Sequence, residues 1–142
     1  VKMGQAETFD HTADLGLRLR ATDLADLFQT AAEALFDVMI ANREDVRQVE
    51  SERVSLASDT PESLLIDWLN ELIYLVEAEH RIFGGFEVRV AEDGRSLEAT
   101  IRGEPLDSSR HVLDHEVKAA TYHGARLDRV GPGYLAELIL DI

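Results

Sequence analysis

Two short stretches at opposite ends of the sequence carry the residues best suited to chemistry. In FDHTADLGLRL (9–19), Asp10, His11, Thr12 and Asp14 crowd four polar groups into five residues, just before an alternating apolar run. At the other end, AELILDI closes the sequence on Asp141 and Ile142, one side-chain carboxylate beside the carboxylate that ends the chain. Two acidic groups so close repel each other when desolvated. Fraying into water relieves the repulsion. Burial, which Leu135, Leu138, Ile139 and Leu140 favour, instead calls for a cation or a basic side chain. If the first and last strands bring their ends together, Asp14, Asp141 and the carboxylate of Ile142 make a set of hard oxygen donors suited to Ca²⁺, Mg²⁺ or Mn²⁺.

Other chemistries find little support. His111 and His115 are four apart, the spacing of a helical zinc pair, but they fall in a loop-like segment and no Glu follows His111. His80 sits at a helix end, where it complements the dipole. His11 and His123 stand beside small polar neighbours and read as satisfied structural histidines. No serine occupies a G-x-S-x-G elbow, no phosphate-cradling glycine loop is present, and Gly84-Gly85 of FGGF reads as a helix-to-strand turn. The absence of cysteine removes disulfides, thiolate zinc sites and cysteine nucleophiles together. One cation does stand out. Of 14 basic residues only Lys2 and Lys118 are lysine. In a chain that otherwise uses Arg, Lys118 marks a place where a compact ammonium is wanted rather than a planar fork.

The elements that must position these residues follow from patterning. The chain has 142 residues, 45% of them hydrophobic, enough for one domain with a core of its own. Residues 8–142 read as that domain and 1–7 as a leader or the start of the first strand. Leu15, Leu17 and Leu19 alternate as a half-buried strand. Thr22 or Asp23 caps a helix whose apolar face (Leu24, Leu27, Phe28, Ala31, Leu35, Met39) runs to about Ala41. Val46, Val49, Val54 and Leu56 suggest a second strand. Thr60, Pro61 and Glu62 open a second helix with a broad apolar set around Trp68. From Ile82 onward the reading is strand: FEVRV and SLEATIRG joined at Asp93-Gly94, a polar connection through 103–115, EVKAATYHG, then ARLDRV and YLAELIL around Gly131-Pro132-Gly133. The order β-α-β-α followed by a meander predicts an α+β domain, two amphipathic helices on a curved, mostly antiparallel sheet.

Net charge bounds the partners. At −14 the surface repels phosphate backbones, so direct binding to RNA or DNA is not expected, whereas a cation or a basic protein partner is. Neither a membrane span nor a secretory leader is visible, which places the expected location in the cytoplasm.

DHTADLGLRL (10–19), ALFDVM (34–39), LLIDWLNELIYL (64–75), VKAATYHG (117–124) and the terminal AELILDI, in that order, resemble the archease family. The resemblance covers about residues 8–142, with HTAD and VKA-TYH its most specific elements. It implies a non-catalytic cofactor of the GTP-dependent, manganese-containing RNA ligase of tRNA splicing and RNA repair, which promotes guanylylation of that ligase and its multiple turnover. It also implies a metal site on Asp14, Asp141 and Ile142 and a functional lysine at Lys118. Asp10, His11 and His123 are then candidates to support the site; Asp10 departs from the family pattern, where Glu is expected. Two other classes stay in view. One is a chaperone or specificity modulator of RNA-modifying enzymes, such as a tRNA methyltransferase. The other is a metal-dependent hydrolase using the same acidic cluster.

Overall fold

The computed structural model describes residues 4–11 and 14–142, without the side chains of Asp10 and His11. Its elements are β1 (Gln5–His11), β2 (Asp14–Ala21), α1 (Leu24–Met39), a single 3₁₀ turn (Arg43–Asp45), β3 (Glu50–Ala57), α2 (Pro61–Glu79), β4 (Arg81–Val90), β5 (Ser96–Pro105), β6 (Ala119–Val130) and β7 (Gly133–Asp141). All strand pairings are antiparallel and form two sheets, ordered β1-β2-β7-β6 and β3-β5-β4. Each helix touches both sheets: α1 packs on β2 and β4, α2 on β6, β3 and β4.

Local chemistry explains both helices. The Asp23 side chain accepts the Asp26 N–H at 2.8 Å, which starts α1. Its apolar stripe then buries Leu27, Phe28, Ala31, Leu35 and Phe36 completely. At the head of α2, Thr60 accepts from the Ser63 N–H while Ser63 Oγ accepts from Thr60, with Pro61 at the first helical position. The broad apolar set of α2 is needed because this helix meets α1 as well as both sheets. Trp68 is fully buried and its indole N–H donates to the Phe28 carbonyl at 2.9 Å, so even its polar atom is satisfied by the neighbouring helix.

The α+β class and the two helices on antiparallel sheet are as expected; several details differ for identifiable reasons. A separate strand, β1, precedes the first expected one and begins at Gln5, within the stretch 1–7 read as a leader or the start of the first strand. Its polar residues at one edge of a sheet gave no alternation to read. Helix α1 ends at Met39 rather than near Ala41, because Ile40 turns extended and bridges Leu113. β3 starts only at Glu50, since Val46 is buried beyond the 3₁₀ turn and Val49 is exposed. Gly84-Gly85 is no helix-to-strand turn but lies inside β4, where the register slips between Phe83 and Gly85. The exit from α2 is made instead by His80, whose left-handed backbone (φ 52°) returns its N–H to the carbonyls of Leu75 and Val76. ARLDRV and AATYHG form one strand, β6, interrupted by a register slip between Thr121 and Arg126. The β4–β5 hairpin turns at Asp93-Gly94 as read, with Gly94 at φ 71°.

Candidate functional site

Register brings the two ends of the sequence together. Leu15 pairs with Leu140 across β2 and β7, and Asp14 and Asp141 follow these two at the same end of the neighbouring strands. On the flanks, His11 of β1 pairs with Asp14, and Ala119 of β6 pairs with Asp141. One end of the four-stranded sheet therefore gathers His11, Asp14, Asp141 and Ala119. Leu15, Leu17 and Leu19 turn toward the helices, so alternation assigns Asp14 and Asp141 to the opposite, outer face. Both aspartates and Ile142 are half-buried.

The rest of that face shows why the acid pair sits where it does. In the next row, the Phe9 ring lies over Gly16 so closely that a Cβ there would come within 2.2 Å of Phe9 Cζ. Glycine in DLGL is thus the space into which the ring folds, and Gly16 pairs in turn with Ile139. One row further, Arg18 is held by Glu137 at 2.5 Å and Glu7 at 3.1 Å, and stands 4.9 Å from the Phe9 centroid. The Arg18 hydrogen bond holds the Glu137 carboxyl below the ordinary carboxylate range. Charges in this row are mutually satisfied. Asp14 and Asp141 are cut off from them by an apolar row, Phe9–Gly16–Ile139.

Lys118 reaches the same end of the sheet through its backbone. Its N–H donates to the Asp141 carbonyl at 2.7 Å, one residue before β6 begins, and its own side chain is exposed. Two side chains of α2 pin the strand that follows. Asn70 Nδ2 donates to the Ala120 carbonyl at 3.0 Å and Asn70 Oδ1 accepts the Ala120 N–H at 2.8 Å. The amide thereby imitates a neighbouring strand on the otherwise unpaired edge of β6. One turn earlier, Asp67 accepts from the Tyr122 hydroxyl, and that hydrogen bond raises the phenol above its ordinary range. Sequence reasoning missed Asn70; the available signal was a polar residue between Ile66 and Ile73 on a buried helical face. His123 is exposed and lies within the slipped part of β6, four positions along from Ala119. The side chains of Asp10 and His11 lie outside the described residues.

The segment leading to Lys118 is anchored by a buried carboxylate. Glu104, 4% exposed, accepts from the Arg47 backbone N–H at 2.7 Å, from His111 Nε2 at 2.9 Å and from the Arg110 guanidinium. Burial pushes its pKa up, but the bonds from Arg47, His111 and Arg110 win and bring it down to about 2. His111 Nδ1 accepts the Asp107 N–H at 2.9 Å, which leaves Nε2 as the protonated, donating nitrogen. Both nitrogens of His111 are thus used in a structural network, while His115 is exposed; the pair is not arranged as a metal couple. Among the described residues, no group of three or more His, Cys, Asp or Glu side chains stands close enough to hold a metal. The acid row supplies two such side chains, and Ile142 follows Asp141 directly. The carboxylate oxygens of Asp14 and Asp141 suit a hard cation. No helix among the described residues is long and apolar enough to cross a membrane.

Known proteins share both this sequence and this fold. The model of the archease protein family (MTH1598/TM1083) matches residues 7–142. Protein archease of Pyrococcus furiosus is 38% identical, with 99% of this chain and 100% of that protein covered. Protein archease of Methanosarcina acetivorans is 36% identical over 96% of this chain and 94% of its own. The solution structure of protein 1598 from Methanobacterium thermoautotrophicum superimposes with a TM-score of 0.79 at 32% identity, all of both chains being covered. The crystal structure of a Thermotoga maritima archease, described as a possible chaperone, gives 0.67 over 97% of this chain and 98% of its own; at 19% identity it supports the fold alone. With a family model and relatives above 30% identity both spanning the acid row, the β6 edge and the buried helices, the chain belongs to the archease family.

Proposed function

We propose that this chain is a non-catalytic protein cofactor of a GTP-dependent, manganese-containing RNA ligase, promoting its guanylylation and multiple turnover in tRNA splicing and RNA repair in the cytoplasm. The observation that carries the reading is the register that gathers Asp14, Asp141 and the backbone of Lys118 at one end of the β1-β2-β7-β6 sheet. Asp14, Asp141 and Ile142 would hold a divalent cation: Ca²⁺, Mg²⁺ or Mn²⁺. When bound, that cation supplies positive charge for phosphate oxygens.

The chain's own residues do the remaining work. The two aspartates follow the Leu15–Leu140 pair on neighbouring strands, so the sheet rather than a loop holds them at one end. The apolar row behind them keeps Arg18 with Glu7 and Glu137 instead of with the acid pair. Lys118 offers a compact ammonium to a nucleotide phosphate or to an acidic group of the ligase. Its backbone is fixed by Asp141 and, two residues on, by Asn70. A net charge of −14 suits a protein that avoids RNA itself and docks on a basic partner built to hold RNA.

The test is pre-steady-state guanylylation of a purified cognate ligase with GTP and Mn²⁺, with and without this protein. The proposal expects acceleration at substoichiometric amounts, lost in Asp14→Ala and Asp141→Ala variants that still fold and still bind the ligase. Full stimulation by the double variant would overturn it. Binding without stimulation, together with protection of several unrelated proteins from aggregation, would favour the chaperone reading or modulation of a tRNA methyltransferase. Turnover of phosphodiesters by the protein alone with Mn²⁺ or Mg²⁺ would favour the hydrolase reading.

A further inference from the structure

A cavity of about 290 Å³ opens between the C-terminal end of α1, α2, β4 and the segment 106–117. Ile40, Ile73, Ile82 and Val117 form its buried floor, and Leu113 stands at its lip with 58% of its surface exposed. The charged residues around it are all of one sign: Glu77, Asp114 and Glu116 line it, joined by His115, and no Lys or Arg does. All three carboxylates are exposed.

The lip is built rather than loosely draped. Ala41 donates its N–H to the Val112 carbonyl at 2.8 Å, Asp114 to Met39 at 2.9 Å and His115 to Val38 at 3.1 Å. The Asn42 side chain adds two more ties, accepting from the Val112 N–H at 2.8 Å and donating to the Arg110 carbonyl at 2.9 Å. The bonds from Asp114 and His115 satisfy carbonyls that the end of α1 would otherwise leave open. They also fix the backbone in a position that leaves Val112 and Leu113, 56% and 58% exposed, facing water. An apolar floor, a fixed apolar lip and a one-sign rim together define what fits: one aliphatic side chain for the floor, basic groups on either side of it for the rim. Val117 of the floor directly precedes Lys118, so the cavity adjoins the candidate site in the chain.

We propose that this cavity is a docking pocket for an extended segment of a partner protein that carries a Leu- or Met-like anchor flanked by Arg or Lys. The anchor fills the space above Ile40, Ile73 and Ile82, and the flanking cations meet Glu77, Asp114 and Glu116. The pocket is separate from the acid row, and the inference does not depend on the identity of the ligase.

Three labelled heptapeptides test it: Gly-Arg-Arg-Leu-Arg-Arg-Gly, the same with Ala for Leu, and the same with Glu for Arg. Binding to the full chain is followed by fluorescence polarisation at low salt and by ¹⁵N–¹H chemical shifts. The Leu–Arg peptide is expected to bind saturably, to shift the amides of Ile40, Ile73 and Val117, and to weaken as salt is raised. The Ala peptide should bind about tenfold more weakly or worse, and the Glu peptide should show no saturation. Leu113→Ser, at an exposed position that leaves the fold intact, should lower affinity about tenfold, as should Glu77→Gln combined with Asp114→Asn and Glu116→Gln. Equal binding of the Ala or Glu peptide, or shifts confined to other regions, would overturn the proposal. A concentration-dependent dimer abolished by Leu113→Ser would also overturn it, by showing that a second copy fills the pocket.

Discussion

Asn70→Ala isolates the contribution of one side chain to the strand that follows Lys118. In the native fold the Asn70 amide makes two hydrogen bonds, 3.0 and 2.8 Å long, to the carbonyl and N–H of the single residue Ala120. Ala120 is 3% exposed, so neither backbone group has ready access to water once the amide is gone. Two lost hydrogen bonds at roughly 1 kcal/mol each, with part of the desolvation cost of the orphaned groups, amount to about 2–3 kcal/mol. For a domain of this size that corresponds to a fall in Tm of about 6–9 °C. Asn70→Asp separates the two bonds. A carboxylate still accepts from the Ala120 N–H but turns a second acceptor toward the Ala120 carbonyl. It should be at least as destabilising at neutral pH and recover in part below about pH 4, where the protonated acid can donate. Urea unfolding gives the global term, and amide hydrogen exchange across residues 118–122 gives the local one. A loss under ~0.5 kcal/mol in Asn70→Ala, with unchanged protection at Ala120, would refute the assignment of Asn70 as the clamp on β6.

Glu104→Gln should cost about 2–4 kcal/mol at pH 7, because it removes a buried charge on which Arg110, His111 and the Arg47 N–H converge. The folded carboxyl sits at about 2, below its ordinary 4.5, so its stabilisation is complete above pH 4.5 and is lost as pH falls toward 2. Wild type and variant should therefore converge in urea midpoint across that window; a constant gap down to pH 2 would contradict the network. Gly16→Ala places a Cβ 2.2–2.4 Å from Phe9 ring carbons, so the ring must move. An overpacking loss of about 1–3 kcal/mol is expected. Phe9→Leu in the same chain should recover part of it, a non-additivity that thermal melts of the two single variants and the double variant would reveal.

Several features were legible because they rest on contacts close in sequence. The α2 start at Thr60-Pro61 and the buried stripe of α1 need only neighbouring residues to be understood. Asp14, Asp141 and Lys118 were visible as chemically odd members of otherwise apolar or Arg-biased surroundings, and the quoted motifs pointed to the archease family. Features requiring two distant segments were not legible. β1 has little alternation of its own and is defined by its pairing with β2. Gly84-Gly85 looked like a turn because glycine often marks one, yet a bulged strand uses the same freedom. Glu104 and His111 read as unrelated polar residues until the chain folded them onto each other.

The sequence by itself determined the acidic surface, the two amphipathic helices, the turn at Asp93-Gly94 and the type of every residue in the acid row. Tertiary structure decided that Asp14 and Asp141, 127 positions apart, come to the same end of neighbouring strands. It also decided that the strands divide into two sheets, and that Asn70 serves β6 as a neighbouring strand would. The physical reason is that periodicity records which face of an element is buried, whereas pairing is chosen by the whole set of strands competing for partners. A one-residue slip between β2 and β7 would turn either Leu17 and Leu19 of β2 or Leu138 and Leu140 of β7 to water, so the buried leucines fix the register. The meeting of the two aspartates follows from that choice.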